Sequence, residues 1–304
     1  MTHGRKRNLP ASIRQKLLNL ARARNEDFQL MLVRYAIERL LYRLSISSYA
    51  DRFILKGATL LGIWGDISYR PTRDVDFLTY GRDTAEAIAA VFRNICRIAA
   101  ADGIVFDPDT IVAEEIRGRD EYGGVTITLS ASLEQARIAV KIDIGFGDTV
   151  TPAPTLEVLP SLVALESPSV RAYNRETYLA EKLQAIVALG MANSRMKDFF
   201  DIQLISRHFE FKGEMLASAI EQTFRRRKTA IPPGIPVPFT SDFYDAPDKK
   251  QQWTAFMKRI GRQPHDLPLP LAVEEIRQFI MPVLNSIRHG QGFGSYWPPR
   301  GPWQ

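Results

Sequence analysis

Apolar residues recur along this chain at two spacings, every three to four residues towards both ends and every second residue in the middle. The first spacing predicts helices with one buried stripe, and the second predicts half-buried strands. Residues 10–48 carry the helical pattern through Ile13, Leu17 and Leu20 and then Leu30, Val33, Ile37, Leu40 and Leu41, with Pro10 suited to a first turn. FILKG at 53–57 reads as a short strand ending in glycine, ATLLGIWG as a helical turn, DISYRPT as a polar loop and DVDFLTY as the next strand. Residues 84–101 predict an amphipathic helix with Thr84 as its N-cap. TIVAEEI, GGVTITLSASL and RIAVKIDIGF then alternate with a period of two. In the last of these, Ile138, Val140, Ile142 and Ile144 share one face and Arg137, Ala139, Lys141 and Asp143 the other.

Prolines thicken between 149 and 170, which predicts a domain boundary there. TYLAEKLQAIVALG resumes the helical period through Leu179, Leu183, Ile186 and Val187, with Gly190 as the C-cap. RMKDFFDIQLISRHF predicts a further helix capped by Ser194, and 214–228 and 271–288 predict two more. Residues 231–247 are proline-rich and read as an extended loop. The last sixteen residues, with four Gly and three Pro, read as a flexible tail. The expected organisation is residues 1–160 with N-terminal helices and a mixed-sheet core, 161–290 mostly helical, and 291–304 as the tail.

Composition narrows the function. Of 304 residues, 45% are hydrophobic, enough for a sizeable core. A lone Cys96 excludes an internal disulfide and a cysteine zinc site, and with four His any metal must be held by carboxylates, which favours Mg²⁺ or Mn²⁺. No secretory apolar region follows the basic N-terminus and no run suffices to span a membrane, so the expected location is cytoplasmic. The net charge of +6 is uneven: seven Arg or Lys fall in the first 24 residues, and RRRK covers 225–228. Such clusters attract phosphate backbones, or are simply solvated helix faces.

The chemistry centres on DVDF. On a strand, Asp74 and Asp76 point the same way while Val75 and Phe77 point into the core. Two carboxylates so close repel each other, and a divalent cation resolves the conflict; Asp143, on the polar face of another strand, supplies a third oxygen donor. Three carboxylates from two strands suit the metal of phosphoryl or nucleotidyl transfer. Upstream, Gly57 in LKGAT would let backbone N–H groups and the Thr59 hydroxyl approach a triphosphate, unless it is an ordinary strand-to-helix turn. Later polar residues admit two readings. Glu181 and Lys182 lie off the apolar stripe as solvated charges or an intrahelical ion pair, unless the lysine balances phosphate charge, and Asp198 and Asp201 share a face either to complement the helix dipole or to support such a site. His208 and His265 lack partners at ligand spacing.

Gly57-Ala58-Thr59, Asp74-Val75-Asp76 and Lys141-Ile142-Asp143, in that order, resemble the polymerase-β-like nucleotidyltransferase superfamily, and TYLAEKLQAI (177–186) and RMKDFFDI (195–202) resemble the third and fourth motifs of its AbiEii-type toxins. The resemblance implies an α/β (α+β) nucleotidyltransferase core with a mixed sheet, flanked by N-terminal helices and a mostly helical C-terminal region. It implies nucleotide binding by Gly57, Thr59, Thr72, Arg73, Lys141, Lys182, Arg195 and Lys197, metal binding by Asp74, Asp76 and Asp143, and catalytic roles for these three with Lys182 and Asp198. It further implies a bacterial toxin that uses Mg²⁺ to transfer a nucleoside monophosphate from an NTP to an acceptor, the 3′ end of tRNA, under restraint by a cognate antitoxin. Transfer to a protein hydroxyl, transfer of phosphate instead, and a non-catalytic nucleic-acid-binding protein stand as alternatives. The chain departs from the family pattern at Ala58, where glycine or serine is usual, and at Arg73, where many members have an acid.

Overall fold

The computed structural model describes residues 8–65, 72–81, 83–116 and 123–304. Arg5, Lys6 and Arg7 of the basic N-terminus, and residues 66–71 of the polar loop before DVDF, lie outside them. The chain forms two compact units, Met1–Asp148 with Thr155–Tyr173, and Thr149–Pro154 with Asn174–Gln304. The division expected at 160/161 therefore falls inside the first unit.

The first unit opens with two helices, α1 (Leu9–Arg24) and α2 (Phe28–Ser45), within the stretch whose period is helical. Asn25 takes the left-handed conformation at the end of α1, and Asp27 starts α2 by accepting from the Leu30 N–H at 2.8 Å. There follow β1 (Phe53–Lys56), α3 (Thr59–Ile63), β2 (Asp74–Thr79), α4 (Ala85–Cys96), β3 (Ile104–Ile116), β4 (Gly124–Leu133), β5 (Ala136–Phe146), β6 (Thr155–Val158) and β7 (Ser169–Ala172). Thr84 caps α4 as its sequence predicts, but the helix stops at Cys96, short of the expected 101. Among the described residues the seven strands form one mixed sheet in the order β3-β4-β5-β2-β1-β7-β6. β2 runs parallel to β5 and β1 parallel to β7; the other neighbours are antiparallel. The proline-rich stretch read as a boundary is divided: Thr149–Pro154 belongs to the second unit, while β6, and β7 at the end of the stretch, join the first by pairing beside β1.

One face of the sheet is apolar. Phe53 and Phe77 meet Phe92 of α4 at centroid separations of 5.4 and 6.4 Å, so the alternation in DVDF sends Val75 and Phe77 towards the helical layer and the aspartates to the opposite face. α2 is bound to this unit by buried ions: Arg43 donates to both oxygens of Asp102, at 2.6 and 3.1 Å, and Tyr35 donates to the Asp102 carbonyl.

In the second unit, α5 (Arg175–Leu189), α6 (Met196–His208), α7 (Gly213–Arg226) and α10 (Leu269–His289) pack together, joined by α8 (Ser241–Tyr244), α9 (Pro247–Arg259) and a two-stranded ribbon of β8 (Phe211–Lys212) and β9 (Tyr296–Trp297). The stretch read as an extended loop, 231–247, contains a 3₁₀ turn at Val237–Phe239 and the whole of α8. Ser194 is not the cap of α6; Arg195 takes that position, its N–H donating to the Asn193 side chain at 2.7 Å. The tail read as flexible is packed instead. Trp297 is buried, Trp303 stacks on Phe279 at 5.6 Å, and their indole N–H groups donate to the carbonyls of Ser206 and Phe279. Aromatic burial outweighs the freedom that four glycines would otherwise confer.

Candidate active site

Strand register assembles the polar face of the first unit. Lys56 pairs with Asp76, Asp76 with Asp143, and Asp143 with Thr126, so these four side chains form one row across β1, β2, β5 and β4. The next row on the same face contains Asp74, Lys141 and Thr128. The two aspartates of DVDF thus stand beside the Lys141–Asp143 pair because β2 and β5 run parallel and in step.

Gly57 makes room for this arrangement. It takes φ +74°, and a Cβ built on it would fall 1.9 Å from Oδ2 of Asp76, so the carboxylate occupies the space of the absent side chain. Thr72 donates its hydroxyl to Oδ1 of Asp74. Asp143 accepts from the Thr126 hydroxyl at 2.6 Å and from Lys141 Nζ at 2.7 Å. That hydrogen bond, with the charges of Asp143, Asp74 and Asp76, holds the Lys141 ammonium pKa above the usual lysine value against a smaller opposing effect of burial. The Thr59 hydroxyl is buried and has no hydrogen-bond partner among the described residues. Arg73 is exposed.

Two neighbouring carboxylates in a glycine cradle fit a hard divalent cation, whose remaining positions waters and phosphate oxygens can fill. Among the described residues no three His, Cys, Asp or Glu side chains are gathered as a ligand set. Asp143 is turned to Thr126 and Lys141, so its use as a third ligand requires those bonds to loosen.

Two members of the row escaped the sequence reading. Lys56 Nζ lies 3.2 Å from Asp148, in a pair largely shielded from solvent. Its place in LKGAT was visible, but its facing Asp76 follows only from antiparallel pairing. Thr126 shows in the alternation of VTIT, yet nothing local aligns it with Asp143.

The second unit holds the other candidates. Lys182 is 8% exposed and lies 3.0 Å from Asp198 and 2.7 Å from Asp201, both fully buried. Arg195 Nε donates to Asp198 at 2.6 Å, and the Tyr178 hydroxyl donates to Asp201 at 2.9 Å. Burial by itself would raise Asp198, but the charges and hydrogen bonds of Lys182 and Arg195 outweigh it and leave its pKa below the usual aspartate value. The reading of Lys182 as a solvated charge is therefore corrected, because α6 supplies two carboxylates to a lysine that α5 turns inward. Asn174 caps α5, accepting from the Thr177 N–H at 2.8 Å, and so sets the phase of that helix. Glu181 instead pairs with Arg227 at 3.2 Å, which engages part of the RRRK cluster. Lys197 is exposed. His208 bonds the Leu204 carbonyl within its own helix, and His265 is exposed.

The fold has relatives among solved structures. JHP933 from Helicobacter pylori matches with a TM-score of 0.51 at 14% identity, covering 87% of this chain and 95% of that one. MenT4, a nucleotidyltransferase toxin from Mycobacterium tuberculosis H37Rv, matches with a TM-score of 0.51 at 14% identity, covering 91% and 98%. None of the curated proteins matches the chain. The family model described as nucleotidyl transferase AbiEii toxin, type IV toxin–antitoxin system, matches residues 39–280, a span that includes both carboxylate rows and the Lys182 cluster. With most of its length matched, the chain belongs to the AbiEii family of nucleotidyltransferase toxins.

Proposed function

We propose that this nucleotidyltransferase toxin transfers a nucleoside monophosphate from an NTP to the 3′ end of tRNA, with pyrophosphate leaving. The observation that carries the reading is the pair of in-register rows, with Asp74 and Asp76 on β2, Lys141 and Asp143 on β5, and Gly57 clearing space for Asp76. Asp74 and Asp76 would hold Mg²⁺ or Mn²⁺, which when bound neutralises charge developing on the phosphates. Thr72 orients Asp74 through its hydroxyl, and Thr126 orients Asp143. Asp143 would orient or deprotonate an acceptor hydroxyl, with Lys141 beside it as a counter-charge. Gly57, Thr59 and Arg73 are proposed for the nucleotide; a nucleotide role is also proposed for Lys182, Arg195 and Lys197, and what supports it is the likeness of their segments to the family's third and fourth motifs. Asp198 acts through Lys182, which it holds in place. A cognate antitoxin is the proposed restraint. The basic residues of the N-terminus and of 225–228 are proposed to hold the RNA.

The test is incubation with each α-³²P-labelled NTP, Mg²⁺ and total tRNA beside an Asp74→Ala control. Label on RNA with the wild type alone supports the reading and names the nucleotide. Label on protein instead transfers the acceptor role to a protein hydroxyl, and label that stays free removes tRNA as acceptor.

A further inference from the structure

A cavity of about 350 Å³ opens in the first unit between α2, α3 and the turn at 159–162, within the size range of small-ligand sites, roughly 300–1,000 Å³. Three separated segments supply its apolar surface, Ile37 from α2, Ile63 from the end of α3, and Leu159 and Leu162 from the turn. Its polar groups include Arg34, whose guanidinium is held by Glu26 at 2.7 Å, and Ser161. The turn is fixed in advance. The buried Glu38 carboxylate accepts from the Leu162 N–H at 2.8 Å and from the Ser161 hydroxyl at 3.1 Å, and that hydroxyl accepts from the Leu165 N–H at 3.0 Å. Preformed walls reduce the ordering cost of binding. Thr59 and Thr72 also line this space. The first carries a buried hydroxyl without a partner among the described residues, and the second donates to Asp74, so the cavity adjoins the carboxylate rows through a single side chain.

We propose that this cavity seats the nucleoside portion of the nucleotide substrate. The inference rests on the transfer reading above and adds to it the place where the base is recognised. Apolar side chains from three elements suit a flat base, while Arg34 offers donors to its edge. Thr72 marks the side at which the phosphates would leave the cavity towards Asp74.

The test fills the cavity. Leu159→Trp and Leu162→Trp retain the backbone N–H bonds that fix the turn, since only side chains change. Each variant, once its melting curve matches the wild type, is titrated calorimetrically with Mg²⁺ and each NTP, and separately with Mg²⁺ and tripolyphosphate. The expected result is a loss of NTP affinity of about tenfold or more with tripolyphosphate binding unchanged. NTP binding equal to wild type in both variants, with label transfer intact, overturns the cavity and leaves the transfer reading standing. Parallel loss of NTP and tripolyphosphate affinity also overturns it, because the substitutions would then act on the phosphates. Weakened tRNA binding with intact NTP binding would overturn it by assigning the space to the acceptor. No Mg²⁺-dependent NTP binding by the wild type overturns both readings.

Discussion

At the scale of single residues, the second unit stakes most on Lys182. Two fully buried carboxylates depend on it, and removing one member of a buried ionic group leaves the others uncompensated, at a cost of about 3–5 kcal/mol. Lys182→Met is therefore expected to lower unfolding free energy by that order in urea titrations; a change below about 1 kcal/mol would show the cluster to be relaxed. The depressed pKa of Asp198 fixes the sign of the acid response. Its stabilising contribution is fully present above the unfolded-state aspartate value, near 3.8, and is lost as pH falls through the lower folded value. Asp198→Asn should accordingly remove part of the acid-induced loss of stability, checked by melting temperature from pH 6 down to 2. Cys96 behaves differently from an exposed thiol. Burial pushes its pKa up to about 12, so native protein should resist iodoacetamide at pH 8 while urea-unfolded protein reacts; equal mass shifts in both states would contradict its burial.

At the scale of elements, the C-terminal ribbon is a structural clasp. Trp297 is 4% exposed and packs against both Phe279 and Trp303, at 4.8 and 5.4 Å. Trp297→Ala should cost about 3–5 kcal/mol, measured by chemical denaturation; a neutral result would mean that the tail does not contribute to the fold in solution. This clasp was illegible in the sequence because Gly and Pro dominate the tail composition, while the partners that order its tryptophans, Phe279 and Ser206, lie far back in the chain. The long alternating strands and the DVDF face were legible because a period of two is a local property. β6 and β7 were not, since four residues give too short a run and the pairing of β7 to β1 is non-local. The site divides in the same way. Asp74, Asp76 and Asp143 could be named from the sequence, whereas Lys56 and Thr126 became visible only through register, and the inward turn of Lys182 only through α6.

At the scale of the whole molecule, the chain passes between its two units three times, after Asp148, Pro154 and Tyr173. A cut at the first crossing removes β6 and β7, including the pairing of Leu55 with Ala172 and the bond from the Tyr173 N–H to the Leu55 carbonyl at 2.9 Å. β1 would then become an exposed edge carrying Ile54 and Leu55. Residues 1–173 are expected to fold alone with dispersed amide spectra, whereas 1–148 should aggregate. A monomeric, folded 1–148 would show that the two late strands are dispensable.

The cradle at Gly57 also has a genetic consequence. Every missense change of a glycine codon introduces a Cβ, and at this position any Cβ meets the Asp76 carboxylate. Gly81 has a comparable φ of +87° but open space around it, so its replacements bear backbone strain without a collision. If forced synthesis of the toxin halts growth, colonies that escape should carry codon 57 changes of many kinds, still accumulating full-length protein, while codon 81 changes should be scarce among them.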